Sequence, residues 1–186
     1  ITNPPDLVIN VVDASNLERQ LYLTAQLLEM QIPVVVALNM MDMAKRRGIH
    51  IDIAQLSRSL HCPIISLTAI HGFGIAELRR ALLVIPQTNS TLPYSFAPLL
   101  QGALQTLTEK LAPKNLPRPW LALRLLEEDR LARHYTSAEE LSHVTVLIQQ
   151  LKNQCGEEIH LLIADARYRW IQTILQPSLV VNPQGK

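Results

Sequence analysis

VVVALNMMD, Val34 to Asp42, is the stretch that decides the fold. Its first five residues are apolar and rich in β-branched side chains, the composition of a strand buried on both faces of a parallel sheet. The loop Asn39-Met40-Met41-Asp42 ends that run. Two other runs share its character: Leu7 to Asp13 upstream, and Pro63 to Leu67 downstream, which leads into Thr68-Ala69. After the first run, Ser15 and Glu18 have the spacing of a capping box. Leu17, Leu21, Thr24 and Leu28 then recur at helical spacing, which predicts one face packed on the sheet. Pro33 marks the boundary before the next strand. A strand–helix–strand unit of this kind crosses over right-handed and pairs in parallel.

Past Asp42, a short polar stretch reaches Gly48, a candidate helix C-cap. Ile53, Leu56 and Leu60 predict a second amphipathic helix before the third strand. Gly72 and Gly74 shape the loop beyond Thr68-Ala69, and Leu78, Leu82 and Ile85 are the expected core positions of the helix after it. The order β-α-β-α-β-α is that of an α/β layer architecture. Pro86 to Pro93 is rich in turn formers, and the pattern changes there. Helices are predicted over Leu99 to Leu111, Trp120 to Tyr135, Ser137 to Gln154 and Ala164 to Leu175, with a second capping box at Ser137 and Glu140. Leu141, Val144, Leu147 and Leu151 give the third of these an apolar stripe. The expected organisation is an α/β region over 1–85, a linker over 86–98, an all-α domain over 99–176 and a tail over 177–186.

Composition narrows the function. With 48% hydrophobic and 18% charged residues, the 186-residue chain is globular rather than disordered. A net charge of +1 gives no electrostatic case for nucleic acid or an anionic membrane. The one basic cluster, Lys45-Arg46-Arg47, reads as a solvated helix end, with a partner contact as the sharper alternative. Cys62 and Cys155 are the only cysteines, too few for a disulfide framework, and suit a reducing compartment. His61 beside Cys62 lacks a second pair at metal-ligand spacing. No run of about 18 apolar residues predicts a membrane span. The opening Ile1-Thr2-Asn3-Pro4-Pro5 has no signal-peptide pattern, so cytosolic exposure is expected.

In an open α/β sheet, ligands bind outside the carboxyl ends of the strands. Asn39 to Asp42 and Thr68-Ala69 would lie side by side there. The Asp42 carboxylate can accept from both the ring N–H and the exocyclic amine of guanine. Adenine presents an acceptor at the ring position and leaves that carboxylate partly unpaired. A hydrogen bond to a charged group contributes about 1.5–3 kcal/mol, and unpaired groups reject the wrong ligand. The pair of loops reads as a guanine pocket.

The string VINVVDASNLERQLYLTAQLLEMQIPVVVALNMMD, Val8 to Asp42, closely resembles the guanine-nucleotide domain of the bacterial ferrous-iron transport protein B family, FeoB. IADARY, Ile163 to Tyr168, resembles a signature near the end of that family's cytosolic helical domain. The likeness implies an α/β fold, a partial P-loop-GTPase-type parallel sheet flanked by helices, followed by a small all-α helical domain. Residues 1–85 would be the C-terminal half of a GTP-binding domain. The helical part would be a regulatory module that slows nucleotide release. The full protein would import Fe²⁺ across the bacterial inner membrane, with this region, itself soluble, at the cytoplasmic face. It would bind GTP or GDP with Mg²⁺ and hydrolyse GTP slowly. Its implied partners are the membrane transport domain of the same protein, the small proteins FeoA and FeoC, and a second copy as a homo-oligomer.

The same resemblance assigns roles. Asn39 braces the base-binding loops and Asp42 selects guanine. Met40 and Met41 stand where related GTPases often place a Lys whose stem lies along the base, and a thioether offers polarizable contact to a ring. Thr68 and Ala69 match a Ser-Ala segment whose backbone N–H meets the guanine carbonyl oxygen, and Ile70 flanks the base. No G-x-x-x-x-G-K-[ST] occurs, the one Gly-Lys pair is Gly185-Lys186, and no D-x-x-G switch is present. Phosphate cradling needs the Gly-rich loop, its Lys and a Ser/Thr on Mg²⁺. The likeness thus starts midway through the G domain. The Mg²⁺ site would lie in the upstream half, and the chain alone is expected to be inactive.

Other readings compete. Asn39 and Asp42 are also good helix-capping residues. Asp13 reads as a turn residue at a helix start, Asp165 and Arg167 as tertiary ion-pair members, and Glu127-Glu128-Asp129 as a solvated helix face. Trp120 and Trp170 read as core aromatics. Two alternatives to the transporter remain: another bacterial GTPase with a helical appendage, and a protein-interaction module on an incomplete G-domain scaffold.

Overall fold

The computed structural model describes residues 5–88 and 91–181; the opening Ile1 to Pro4, Asn89 and Ser90 of the expected linker, and residues 182–186 lie outside them. In chain order the elements are β1 (Val8–Asp13), α1 (Leu17–Glu29), β2 (Val34–Asn39), α2 (Met41–Arg46), β3 (Ile49–Ile51), α3 (Ile53–Leu60), β4 (Ile64–Ser66) and α4 (Ile75–Ala81). There follow α5 (Pro98–Lys110), α6 (Arg118–Leu126), α7 (Arg130–His134), α8 (Ala138–Cys155), α9 (Ile159–Leu175) and β5 (Leu179–Val181). The chain divides into two compact units, one of residues 1–28, 32–90 and 169–186, the other of 29–31 and 91–168.

The first unit is built on a parallel sheet in the order β1-β2-β4. Its central strand β2 is buried from Val34 to Leu38, as its unbroken apolar run requires. The register pairs Asp13 with Asn39 and Leu38 with Ser66, which brings all three strand exits to one edge of the sheet. Helix α1 buries Leu17, Leu21 and Thr24, and the Thr24 hydroxyl accepts from Asn10 Nδ2 at 2.7 Å. That bond satisfies two buried polar groups inside an apolar layer.

Several local expectations are corrected. The start of α1 is held by Asp13 rather than by a Ser15–Glu18 box: Asp13 Oδ1 accepts from Ser15 N at 2.8 Å and opens a 3-10 turn over Ala14–Asn16. The polar stretch after Asp42 needs no correction: it is helical over Met41 to Arg46, and Gly48 turns the chain beyond the helix end with φ +71°, as a C-cap there implied. Within the expected 177–186 tail, Leu179–Val181 forms β5, antiparallel to β3. Two three-residue strands so far apart in sequence carry too little periodicity to be read locally. Helix α4 stops at Ala81, so Ile85 is no core position: it is 60% exposed, in a run with exposed Leu83 and Val84.

The second unit packs α5, α6 and α8 around Leu104, Leu107, Leu121, Leu125, Val144 and Leu151. The capping box at Ser137 and Glu140 is formed, and Glu140 also accepts from Ala112 N and Lys114 Nζ at 2.8 Å each. The predicted helix 120–135 is broken in two. Glu128 takes φ +58°, and the Asp129 carboxylate restarts the chain as α7 by accepting from Leu131 N at 2.7 Å. Glu127-Glu128-Asp129 is therefore a helix junction and not a solvated face. The last helix begins at Ile159, earlier than Ala164. Trp120 is a partly buried aromatic packed on this unit's core, as Trp170 is in the first unit.

Glu127 points inward to a ring of charges. Arg167, 1% exposed, donates Nε and Nη2 to the two oxygens of fully buried Glu29 at 2.6 and 3.0 Å, and Nη1 to Glu127 at 2.7 Å. Arg124 donates to the other Glu127 oxygen at 2.8 Å, and the Tyr94 hydroxyl donates to Glu29. Two guanidinium and two carboxylate groups cancel, which is the condition for keeping charge in a core. The Arg of IADARY is thus a buried ion-pair member.

Candidate functional site

The two loops singled out by sequence meet at the carboxyl edge of the sheet. Parallel pairing of β2 and β4 carries both exits forward together: Leu67 N donates to Leu38 O at 2.7 Å, and Met41 N donates to Leu67 O at 3.3 Å. Asn39 closes the link, its Oδ1 accepting from Ala69 N at 3.0 Å. Within the Thr68-Ala69 segment, the Ala69 N–H is thus engaged by Asn39. A 3-10 turn over Ala69–His71 follows, held by His71 N donating to Thr68 O at 2.9 Å. Gly74 then passes against the strand; a Cβ there would lie 2.1 Å from Ser66 O, and its φ is +81°. Only glycine fits that position without distortion.

Met40 adopts the left-handed region at φ +61° and is 45% exposed, so its thioether stands free of the core. Met41 packs against the apolar core of the first unit. Thr68 is half-buried, while Ala69 and Ile70 are exposed. A cleft of about 470 Å³ borders Met41 and Thr68 and is lined also by Ile53, Phe73 and Glu77; Asn39 and Asp42 stand outside its lining.

Asp42 sits in the first turn of α2, and its Oδ2 accepts from the Arg46 guanidinium. That hydrogen bond, aided by the nearby Met43 main chain, holds the carboxyl below its usual range, so it is ionised at neutral pH. On the β1 side, Arg47 Nη1 lies 3.2 Å from Ser15 Oγ and 3.4 Å from Ser15 O. Desolvation of Asp13 is outweighed by hydrogen bonds from Ser15 and Asn16, which keep that carboxyl low as well. The sequence cluster Lys45-Arg46-Arg47 is therefore partly spent on the site's own loops. The i,i+4 spacing of Asp42 and Arg46 is the signal that could have revealed this.

Other candidates recede. Burial pushes the Cys62 thiol up to about 12, which makes it an inert core group. His61, His134, His143 and His160 are exposed. Among the described residues no group of three metal-ligating side chains occurs, and no helix is long and apolar enough to cross a membrane.

Comparison with known proteins gives a consistent answer. Residues 1–82 match the family described as Ferrous iron transport protein B, and residues 96–180 match the FeoB cytosolic helical domain. The Fe(2+) transporter FeoB of Escherichia coli strain K12 is 43% identical over 178 residues, which are 94% of this chain and 22% of that protein. The Salmonella typhimurium transporter is 41% identical over the same share. The chain thus spans about a fifth of the length of these relatives. Among solved structures, the cytosolic domain of L. pneumophila FeoB is similar with a TM-score of 0.82 and 37% identity, covering 97% of this chain and 70% of that one. A GDP-bound mutant of the S. thermophilus protein has a TM-score of 0.83 and 29% identity, with 93% and 69% covered. The mGMPPNP-bound form from S. thermophilus has a TM-score of 0.81 and 26% identity, with 100% and 71% covered.

Proposed function

Because the chain belongs to the FeoB family of ferrous iron transport proteins, we propose that it carries the base-recognising part of a guanine-nucleotide domain together with its helical domain. The observation that carries this reading is the 3.0 Å hydrogen bond from Ala69 N to Asn39 Oδ1, which ties two adjacent strand exits beside an ionised Asp42. Asp42 accepts from the ring N–H and exocyclic amine of guanine, and Asn39 keeps the Thr68-Ala69 main chain in reach of the carbonyl oxygen. The Ala69 N–H is then shared between Asn39 and the base. Exposed Met40 lies along one ring face and Ile70 flanks the base; Met41, turned to the core, supports the loop from behind.

The phosphate half of such a site is not built by these residues. The sequence has no Gly-rich phosphate loop, and the described residues hold no metal-ligating cluster, so they do not fit Mg²⁺. Slow GTP hydrolysis in the intact protein, gating of Fe²⁺ passage by nucleotide state and a location at the cytoplasmic face of the inner membrane extend the same proposal. FeoA, FeoC and self-association rest on the family resemblance alone.

Calorimetric titration of GDP and ADP into this chain, and into a version extended upstream, tests the reading. GDP-selective binding by the extended protein is expected. Equal binding of ADP, or no binding by either protein, would favour the interaction-module alternative.

A further inference from the structure

Asp42 has more acceptor capacity than a purine edge can use. A carboxylate offers about four lone-pair sites. The Arg46 guanidinium takes one on Oδ2. The ring N–H and exocyclic amine of guanine require two of the others. The torsion that turns a carboxylate is broad and roughly two-fold, so an unanchored Asp side chain has no fixed plane. Arg46 lies four residues on, one helical turn away, and pairs with no other side chain among the described residues; its own side chain is 68% exposed while that of Asp42 is 28% exposed. The acid in the first turn and the base in the last turn of α2 are also the arrangement that suits its dipole.

We propose that Arg46 is a positioning residue for base recognition, anchoring one Asp42 oxygen so that the carboxylate meets the guanine edge in a fixed plane. The inference rests on the guanine reading of Asp42 and adds to it the residue that sets the carboxylate's orientation. Arg46 does not touch the base. Lysine would keep the charge without the planar fork and restore the orientation only in part.

The test is a double-mutant cycle in the upstream-extended protein, read by calorimetric Kd for GDP and for XDP. Arg46→Ala should weaken GDP binding about two- to five-fold, the range set by an exposed ion pair, and the loss should shrink at high salt. Arg46→Lys should recover part of it. In the Asp42→Asn background, which should prefer XDP, Arg46→Ala should cost less XDP affinity than it costs GDP affinity in the parent, because a neutral amide oxygen holds the guanidinium more weakly than a carboxylate does. A loss of equal size in both backgrounds would show a general effect on α2 and overturn the proposal. An Asp42→Asn switch to XDP with no loss from Arg46→Ala would overturn it while leaving the guanine reading intact. No switch on Asp42→Asn would remove both.

Discussion

Replacing Arg167 by methionine should destabilise the helical unit by about 3 kcal/mol, toward the lower end of the range for breaking a buried ion pair. The magnitude follows from what is left behind. Glu29 is fully buried and would lose its contacts at 2.6 and 3.0 Å, keeping the Tyr94 hydroxyl and an Arg124 nitrogen at 3.4 Å. Glu127 would lose a 2.7 Å bond but keep Arg124 at 2.8 Å. The surviving partners place the cost below that of an orphaned charge. Urea titration followed by far-UV circular dichroism reads the effect. With a slope of about 1.5 kcal/mol per M, the midpoint should fall by about 2 M. Adding Glu29→Gln removes the charge that Arg167 had matched and should recover part of the loss. An Arg167→Met midpoint within about 0.3 M of the parent would refute the claim that this ring holds the unit together.

Two further outcomes are expected. Glu140 is desolvated, yet its bonds from Lys114, Ala112 and Ser137 hold its carboxyl down at about 2 against an ordinary 4.5. Its contribution of about 2–3 kcal/mol is therefore complete above pH 5 and lost as pH falls toward 2, so Glu140→Gln should flatten the acid limb of a stability–pH curve. Gly74→Ala forces a Cβ onto Ser66 O at a left-handed φ and should cost at least about 2 kcal/mol, with NMR shift changes concentrated in residues 66–74.

Much of the fold was legible because local signals and tertiary demands agree. β2 is the buried central strand its apolar run requires, and α8 begins at the Ser137 box. The reading failed where the deciding contact is remote. Arg167 and Glu29 are 138 positions apart, and β3 with β5 gain their strand character only from each other. Local competition explains two other misses. Asp13, one residue before the turn, outbid Ser15 for the cap, and Glu128 broke a helix that propensity alone would continue. At the candidate site, the link between Asn39 and Ala69 followed from parallel strands ending together. Arg46 escaped because a basic cluster at a helix end ordinarily faces water.

The most direct measurement is the nucleotide preference of Asp42→Asn in the upstream-extended protein. Guanine offers two donors to a carboxylate, whereas xanthine offers one donor and one acceptor, the complement of an amide. The account predicts that GDP binding weakens by about ten-fold or more while XDP binding strengthens, reversing the selectivity. Undiminished GDP affinity, with XDP still rejected, would contradict it.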